Sequence, residues 1–343
     1  GYTERWNGTA WTETTDLITA RNSQGGTGAG GSTSALSVGG VPPGGQPQGT
    51  GIVEEFVGSA PIGAFSSGPN MNTARYNMAS IGTATAALAV GGRAPVKSEN
   101  EEWNGTAWTE KADLNSGRHS MSSSGTTTSG LVSGGEDTAY RNLVEEWNGT
   151  SFAVQTAIGT TRGEGGGAGA SAEAALVYGG ASPPGVHALT ERWNGTAWTE
   201  VADLNQARYQ MTSGMGRTYD AALCVGGRTS GTNIVASTEV WNGTSWFEGA
   251  TLNNGRVMGA GQTGSTTSSI VAGGYITTAV ANNEEFNGIS WQETADLSTV
   301  RSGPGGAGAD GTSAIVFAGG TPSAVLTSEI WSSTSNTVKV LTD

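Results

Sequence analysis

The sequence has one cysteine, Cys224, and two histidines, His119 and His187, in 343 residues. A single thiol excludes a disulfide within the chain. It sits in the apolar stretch "AALCVGG", where a buried free thiol is the expected state. Two histidines in unlike surroundings are too few for most imidazole-rich metal centres, so they are read as surface or loop residues; no metal and no cofactor are expected. Lysine is almost as scarce, at three residues, and the formal net charge is −13. A surface of that sign repels a nucleic-acid backbone, so nucleic acid is not an expected partner. No apolar run approaches the roughly 20 residues a membrane helix needs, and no signal peptide opens the chain, so a soluble protein without membrane insertion is expected. A first residue of Gly points to processing or to a segment of a longer protein.

What the sequence has in abundance is repetition. "ERWNGTAWTE" begins at Glu4 and returns nearly unchanged from Glu101 and Glu191, with looser copies from Glu145, Glu239 and Glu284 and degenerate forms at Glu54–Phe56 and Glu329–Trp331. All 11 tryptophans lie in these phrases, so most of the large apolar area belongs to one repeated layer. A second mark, Gly-Gly after a short apolar run, falls at Gly39-Gly40, Gly91-Gly92, Gly134-Gly135, Gly179-Gly180, Gly226-Gly227, Gly273-Gly274 and Gly319-Gly320, a period of 43–52 residues. Asn-Gly between strand-like runs predicts a two-residue hairpin in which Trp6 faces Thr9 and Glu4 faces Trp11, with Glu4, Trp6 and Trp11 on one buried side. The Asn-Gly-Thr triplets are formally glycosylation acceptors, but the turn alone accounts for them.

Two further short strands separate successive phrases, for example "RYQMTSGM" and "AALCVGG". Gly supplies 57 residues and nothing keeps a helical period, so long helices are not expected. Four short strands at such a period predict an all-β, seven-bladed β-propeller with four antiparallel strands per blade. One propeller over 1–343 is expected, with an N-terminal half-repeat at 1–17 and blades near 18–69, 70–111, 112–156, 157–200, 201–247, 248–293 and 294–343. Seven Gly-Gly marks against eight Glu-x-aromatic phrases leave one half-repeat surplus. The apolar strand ending in Gly-Gly, the variable loop, and the aromatic and Trp across a tight turn resemble the kelch repeat. They resemble in particular the kelch-type arrays of marine bacteriophage virion proteins. Glu-x-Trp-Asn-Gly stands where kelch repeats more often carry Tyr. The resemblance implies a virion surface location, in a fibre or decoration protein, as part of a symmetric assembly.

The sharpest repeated polar residue is Arg, at Arg21, Arg75, Arg118, Arg162, Arg208, Arg256 and Arg301, which a propeller arranges as a ring. Two readings stand: an anion site at the channel mouth, or ion pairs with the repeated glutamates Glu54, Glu101, Glu145, Glu191, Glu239, Glu284 and Glu329. The second is favoured, because a Glu on the buried side without a cation would be costly. Asp16, Asp113, Asp203 and Asp296 are read as turn caps rather than calcium ligands. Loops after Gly-Gly vary while the opposite turns are monotonous, so recognition is expected on the variable face. Gln46, Gln48, Tyr140, Arg141, His187, Arg228, Asn233 and Tyr275 are its candidate contacts. No catalytic residue is assigned. The expected function is non-enzymatic adhesion to host glycan or to other virion or surface proteins. A secreted bacterial carbohydrate-binding propeller and a carbohydrate-active enzyme are the alternatives.

Overall fold

A computed structural model describes residues 63–333, apart from 212–213, 262 and 321–322, and, before them, the backbone of five short strands. The contacts divide the chain into two units, 63–332 and the flanking 1–62 with 333–343.

Within 63–332 the described strands form five four-stranded antiparallel sheets, one three-stranded sheet and a small two-stranded one, Ala181–Ser182 with Gly185–Val186. The first blade runs Ala79–Thr83, Ala86–Gly92, Lys97–Trp103 and Trp108–Lys111, each strand paired with its predecessor. Up-and-down order follows from the short turns, since a hairpin can only reverse direction locally. In the four-stranded blades the innermost strands touch in succession around the axis: Ala79–Thr83 meets Ser122–Gly125, which meets Gly166–Ser171, which meets Gly214–Thr218. Gly305–Asp310 meets Ala79–Thr83 again, which closes a ring. These inner strands are rich in Gly, Ala and Ser because they converge on one axis. A Cβ added to Gly167 would lie 2.5 Å from the Ser123 carbonyl oxygen of the neighbouring blade. The described residues are all-β and arranged as a β-propeller.

Among the described residues the count is six blades rather than the expected seven. The sixth blade takes Gly305–Asp310, Ser313–Phe317 and Ser328–Ser332 from the C-terminal side and its outer strand, Ala64–Gly68, from the N-terminal side, with Ser332 opposite Ala64 and Ser328 opposite Gly68. "AFSSG" carries neither repeated mark, so counting marks could not find it. In 1–62, Ser34–Val38 pairs with Gly25–Gly26 and with Val53–Val57, and Glu4–Trp6 pairs with Trp11–Glu13. The described strands of 1–62 thus form sheets of their own.

Hairpin register also differs from expectation. Trp6 faces Trp11, not Thr9, and Glu4 faces Glu13; Trp103 likewise faces Trp108. The loop has four residues, because Asn104 acts through its side chain: Oδ1 accepts the Thr106 and Ala107 amides at 3.0 and 2.9 Å, leaving only Gly105 at positive φ. The face assignment survives, since Trp103, Trp108 and Glu101 are all buried. Trp103 and Trp108 stack at 5.6 Å, and Trp108 meets Phe317 of the sixth blade at 4.8 Å, so one aromatic pair packs a blade and seals it to the next. The last glycine mark is shifted by one. Ala318 (φ 57°) and Gly319 (φ 104°) occupy the conformations that Gly91 (φ 60°) and Gly92 (φ 122°) take in the first blade.

Candidate functional site

The repeated arginines are buried ion-pair partners. Arg75 meets Glu101 at 3.2 Å, Arg162 meets Glu191 at 2.7 Å, and Arg208–Glu239 and Arg301–Glu329 close at 2.6 Å; Arg118–Glu145 and Arg256–Glu284 make the same contact. The second carboxylate oxygen accepts a backbone amide just after the Leu or its equivalent, as Asn205 donates to Glu239 at 2.7 Å and Asn253 to Glu284 at 2.7 Å. Each guanidinium also donates to backbone carbonyls, as Arg301 does to Ala318 and Thr327 at 3.0 Å. Burial pushes Arg301 below its usual pKa and Glu329 pulls it back. Each carboxylate has its cation, and these buried pairs fix the segment entering each blade against the Glu-bearing strand; being buried, they offer no open anion seat, although Arg75 Nε and Nη1, Arg118 Nη2, Arg162 Nε and Nη2 and Arg301 Nε find no hydrogen-bond partner. Arg21 lies outside the described residues.

Two positions after each Arg stands a residue that the repeat pattern does not single out: Asn77, Ser120, Glu164, Gln210, Met258 and Gly303. All six are left-handed, with φ between 51° and 61°. Each donates its amide to the carbonyl of a neighbour, in the order Asn77 to Gly303, Gly303 to Met258, Met258 to Gln210, Gln210 to Glu164, Glu164 to Ser120 and Ser120 to Asn77, at 2.7–3.1 Å. The hydrogen bonds form a closed circle about the propeller axis. Only Arg-x at fixed spacing could have pointed to these positions, because their side chains differ in every blade.

This circle rims a pocket of about 100 Å³ that continues past Met78, Met121 and Met211 to the small residues Ser80, Ser123, Gly167 and Gly261. Beyond the pocket, Arg217 of the fourth blade reaches across to donate to the Gly82 carbonyl of the first blade at 3.2 Å. First and fourth blades lie opposite each other in a ring of six, so this side chain spans the channel at its far end.

Around the mouth, residues just after Arg bridge residues just after Gly-Gly: Tyr76 with Arg93, His119 with Glu136, Tyr209 with Arg228 and Val257 with Tyr275. Gln210 Nε2 donates to Glu164 Oε1 at 2.8 Å. Burial raises the Glu164 pKa above the usual carboxylate range; the Gln210 hydrogen bond opposes this, and the Glu136 carboxylate reinforces it. Tyr140 packs against Gly163, and burial, with Glu164 and Glu136 nearby, pushes its hydroxyl up to about 12. Two polar atoms at the mouth are buried without a partner, Gln210 Oε1 and Arg228 Nε.

The structure thus gathers Tyr140, Arg228 and Tyr275 of the expected contacts at the mouth. It leaves Arg141 paired with Asp137 at 2.9 Å, Asn233 bonded to Thr229 Oγ1 at 2.8 Å on an exposed turn, and His187 bonded to Ser182 Oγ at 2.8 Å. Gln46 and Gln48 lie outside the described residues. His119 is not a surface or loop residue: it is 2% exposed, bonded to Ser120 Oγ at 3.0 Å, and its pKa is lowered by burial. Cys224 is fully buried and burial pushes its thiol up to about 12. Asp203 and Asp296 accept the backbone amides of Thr190 and Asn283, while Asp113 accepts the Ser98 hydroxyl. Among the described residues no group of three or more His, Cys, Asp or Glu side chains is placed to hold a metal ion.

No family model and no curated protein matches the sequence. Solved structures do match in number; one, titled "Structure of YjhT", superposes with a TM-score of 0.64 over 80% of this chain and 99% of that one, at 14% identity. That likeness shows the fold alone.

Proposed function

We propose that the chain is a kelch-like, non-enzymatic recognition propeller displayed on a particle surface, a virion fibre or decoration protein, that binds host glycan or a neighbouring surface protein through the face carrying the Gly-Gly loops. The observation that supports this reading is the contrast between the two faces. On one, Asn104, Asn148, Asn194, Asn242 and Asn287 each accept the amides two and three residues on, at 2.9–3.0 Å, in a single repeated turn. On the other, every blade presents different side chains above a common backbone circle. Fixed scaffold with variable loops is the arrangement that separates binding chemistry from folding. Many copies on one particle would add effective concentration to a weak single site.

The test is binding of the purified chain to a printed glycan array and to the surface proteins of the particle that carries it. Replacing Thr229–Asn233 and Asp137–Tyr140 by Gly-Ser links should weaken binding and leave the melting temperature within a few degrees. Binding that survives both replacements but is lost when the Asn-Gly turns are altered would assign recognition to the wrong face. Turnover of any bound glycan would defeat the non-enzyme reading.

A further inference from the structure

Resting on that reading, we propose that the mouth of the central channel, rather than the loop tips, is the ligand seat, and that it takes one uncharged sugar unit whose adjacent hydroxyls meet Gln210, Glu164 and Arg228, with Tyr140 at its side. Three observations carry this. First, the mouth keeps unused hydrogen-bonding capacity of both kinds. Gln210 Oε1 is an acceptor and Arg228 Nε a donor, both buried without a partner, although buried polar groups are normally satisfied. They are close in the fold: Arg228 bridges Tyr209, the residue before Gln210, and the Arg228 charge is felt at Glu164, to which Gln210 is bonded. A hydroxyl both donates and accepts, so a pair of neighbouring hydroxyls satisfies such a mixed set.

Second, charges of both signs act on Glu164, Glu136 on one side and Arg228 and Arg93 on the other. A carboxylate ligand would meet Arg228 only by also approaching Glu164 and the Gln210 carbonyl oxygen. An ammonium ligand would meet the converse problem at Arg228. A neutral polyol meets neither. Third, the pocket that Gln210 and Glu164 line, and that Arg228 and Tyr140 do not, has room for part of one ring. One water takes roughly 10–15 Å³ on this scale, so about 100 Å³ admits several heavy atoms but no folded peptide segment. The closed backbone circle holds Gln210 and Glu164 in place before any ligand arrives, which lowers the ordering cost of weak sugar binding.

The experiment is titration of the intact chain with methyl glycosides of neutral hexoses and with the matching uronic acids, followed by ligand-observed NMR. At least one neutral glycoside should bind, and no uronate should bind more tightly than its neutral parent. Gln210→Met and Glu164→Ser should each weaken that glycoside tenfold or more. Both should fold, because Met258 (φ 53°) and Ser120 (φ 57°) already occupy equivalent positions of the circle. Tyr140→Ala, at the rim, gives an independent third readout should either fail. Tighter binding of a uronate would overturn the neutral-sugar assignment. Glycoside binding that none of the three variants alters would overturn the mouth as the seat while leaving glycan recognition by the variable face intact. Absence of binding to every glycoside on a chain that still binds array glycans would overturn it in the same way, and absence of all glycan binding would remove the glycan reading as well.

Discussion

Six residues hold the left-handed conformation around the axis, and only Gly303 among them is free of the Cβ penalty, about 1–2 kcal/mol for each of the others. The circle of amide–carbonyl bonds offsets that cost, which is why such unlike residues as Asn77, Met258 and Glu164 share one φ. Glu164 is the one with a charge to lose. Its pKa is raised in the folded chain, so the folded state holds this proton more tightly than the unfolded state does. The resulting stabilisation is complete below the ordinary carboxylate range, near about pH 4, and is lost as pH rises through the raised value. Glu164→Gln should therefore melt higher than the parent at pH 7, with the gap closing toward pH 4; a gap that does not change with pH would show that Glu164 titrates normally. None of this was legible beforehand. The repeated Arg two residues earlier stood out because every blade needs the same ion pair, whereas the circle constrains backbone rather than side chain and so leaves no residue signature.

At the scale of strands and hairpins the sequence was read correctly where burial sets the pattern and wrongly where a turn does. Glu101, Trp103 and Trp108 share the buried side because residues two apart in a strand face one way, and that held although the loop between the tryptophans has four residues instead of two. The loop length depended on whether Asn104 would adopt positive φ or use its side chain to cap the turn, a choice between two local bonds that composition does not decide. The Arg–Glu pairs sit between elements and can be tested there. Arg208→Ala leaves the Glu239 carboxylate buried without its cation and should cost about 3–5 kcal/mol by chemical denaturation. Arg208→Met combined with Glu239→Gln removes both charges and keeps an acceptor for the Asn205 amide, and should recover part of that loss. If the double variant is less stable than Arg208→Ala, the pair is not what makes the single substitution costly.

For the whole molecule, the decisive fact is how the 63–332 ring closes. A propeller of consecutive four-stranded blades must join its last blade to its first, and here Ala64–Gly68 lies along Ser328–Ser332, strands more than 250 residues apart in the chain. The propeller class was legible from the period and strand content, while the number of blades was not: seven Gly-Gly marks suggested seven, but closure is made by a strand without a mark. Closure by pairing alone is reversible, so a covalent link across it should stabilise the ring by restricting the unfolded chain. Ala64 and Ser332 are opposite each other and both exposed. Ala64→Cys with Ser332→Cys should form a disulfide that adds about 2–4 kcal/mol, seen as a rise in melting temperature that a reductant abolishes. Cys224 will not compete, since it is fully buried and its thiol is pushed up to about 12. Failure of the two cysteines to cross-link under oxidising conditions would mean that these strands are not neighbours and that the ring closes elsewhere, with a different number of blades.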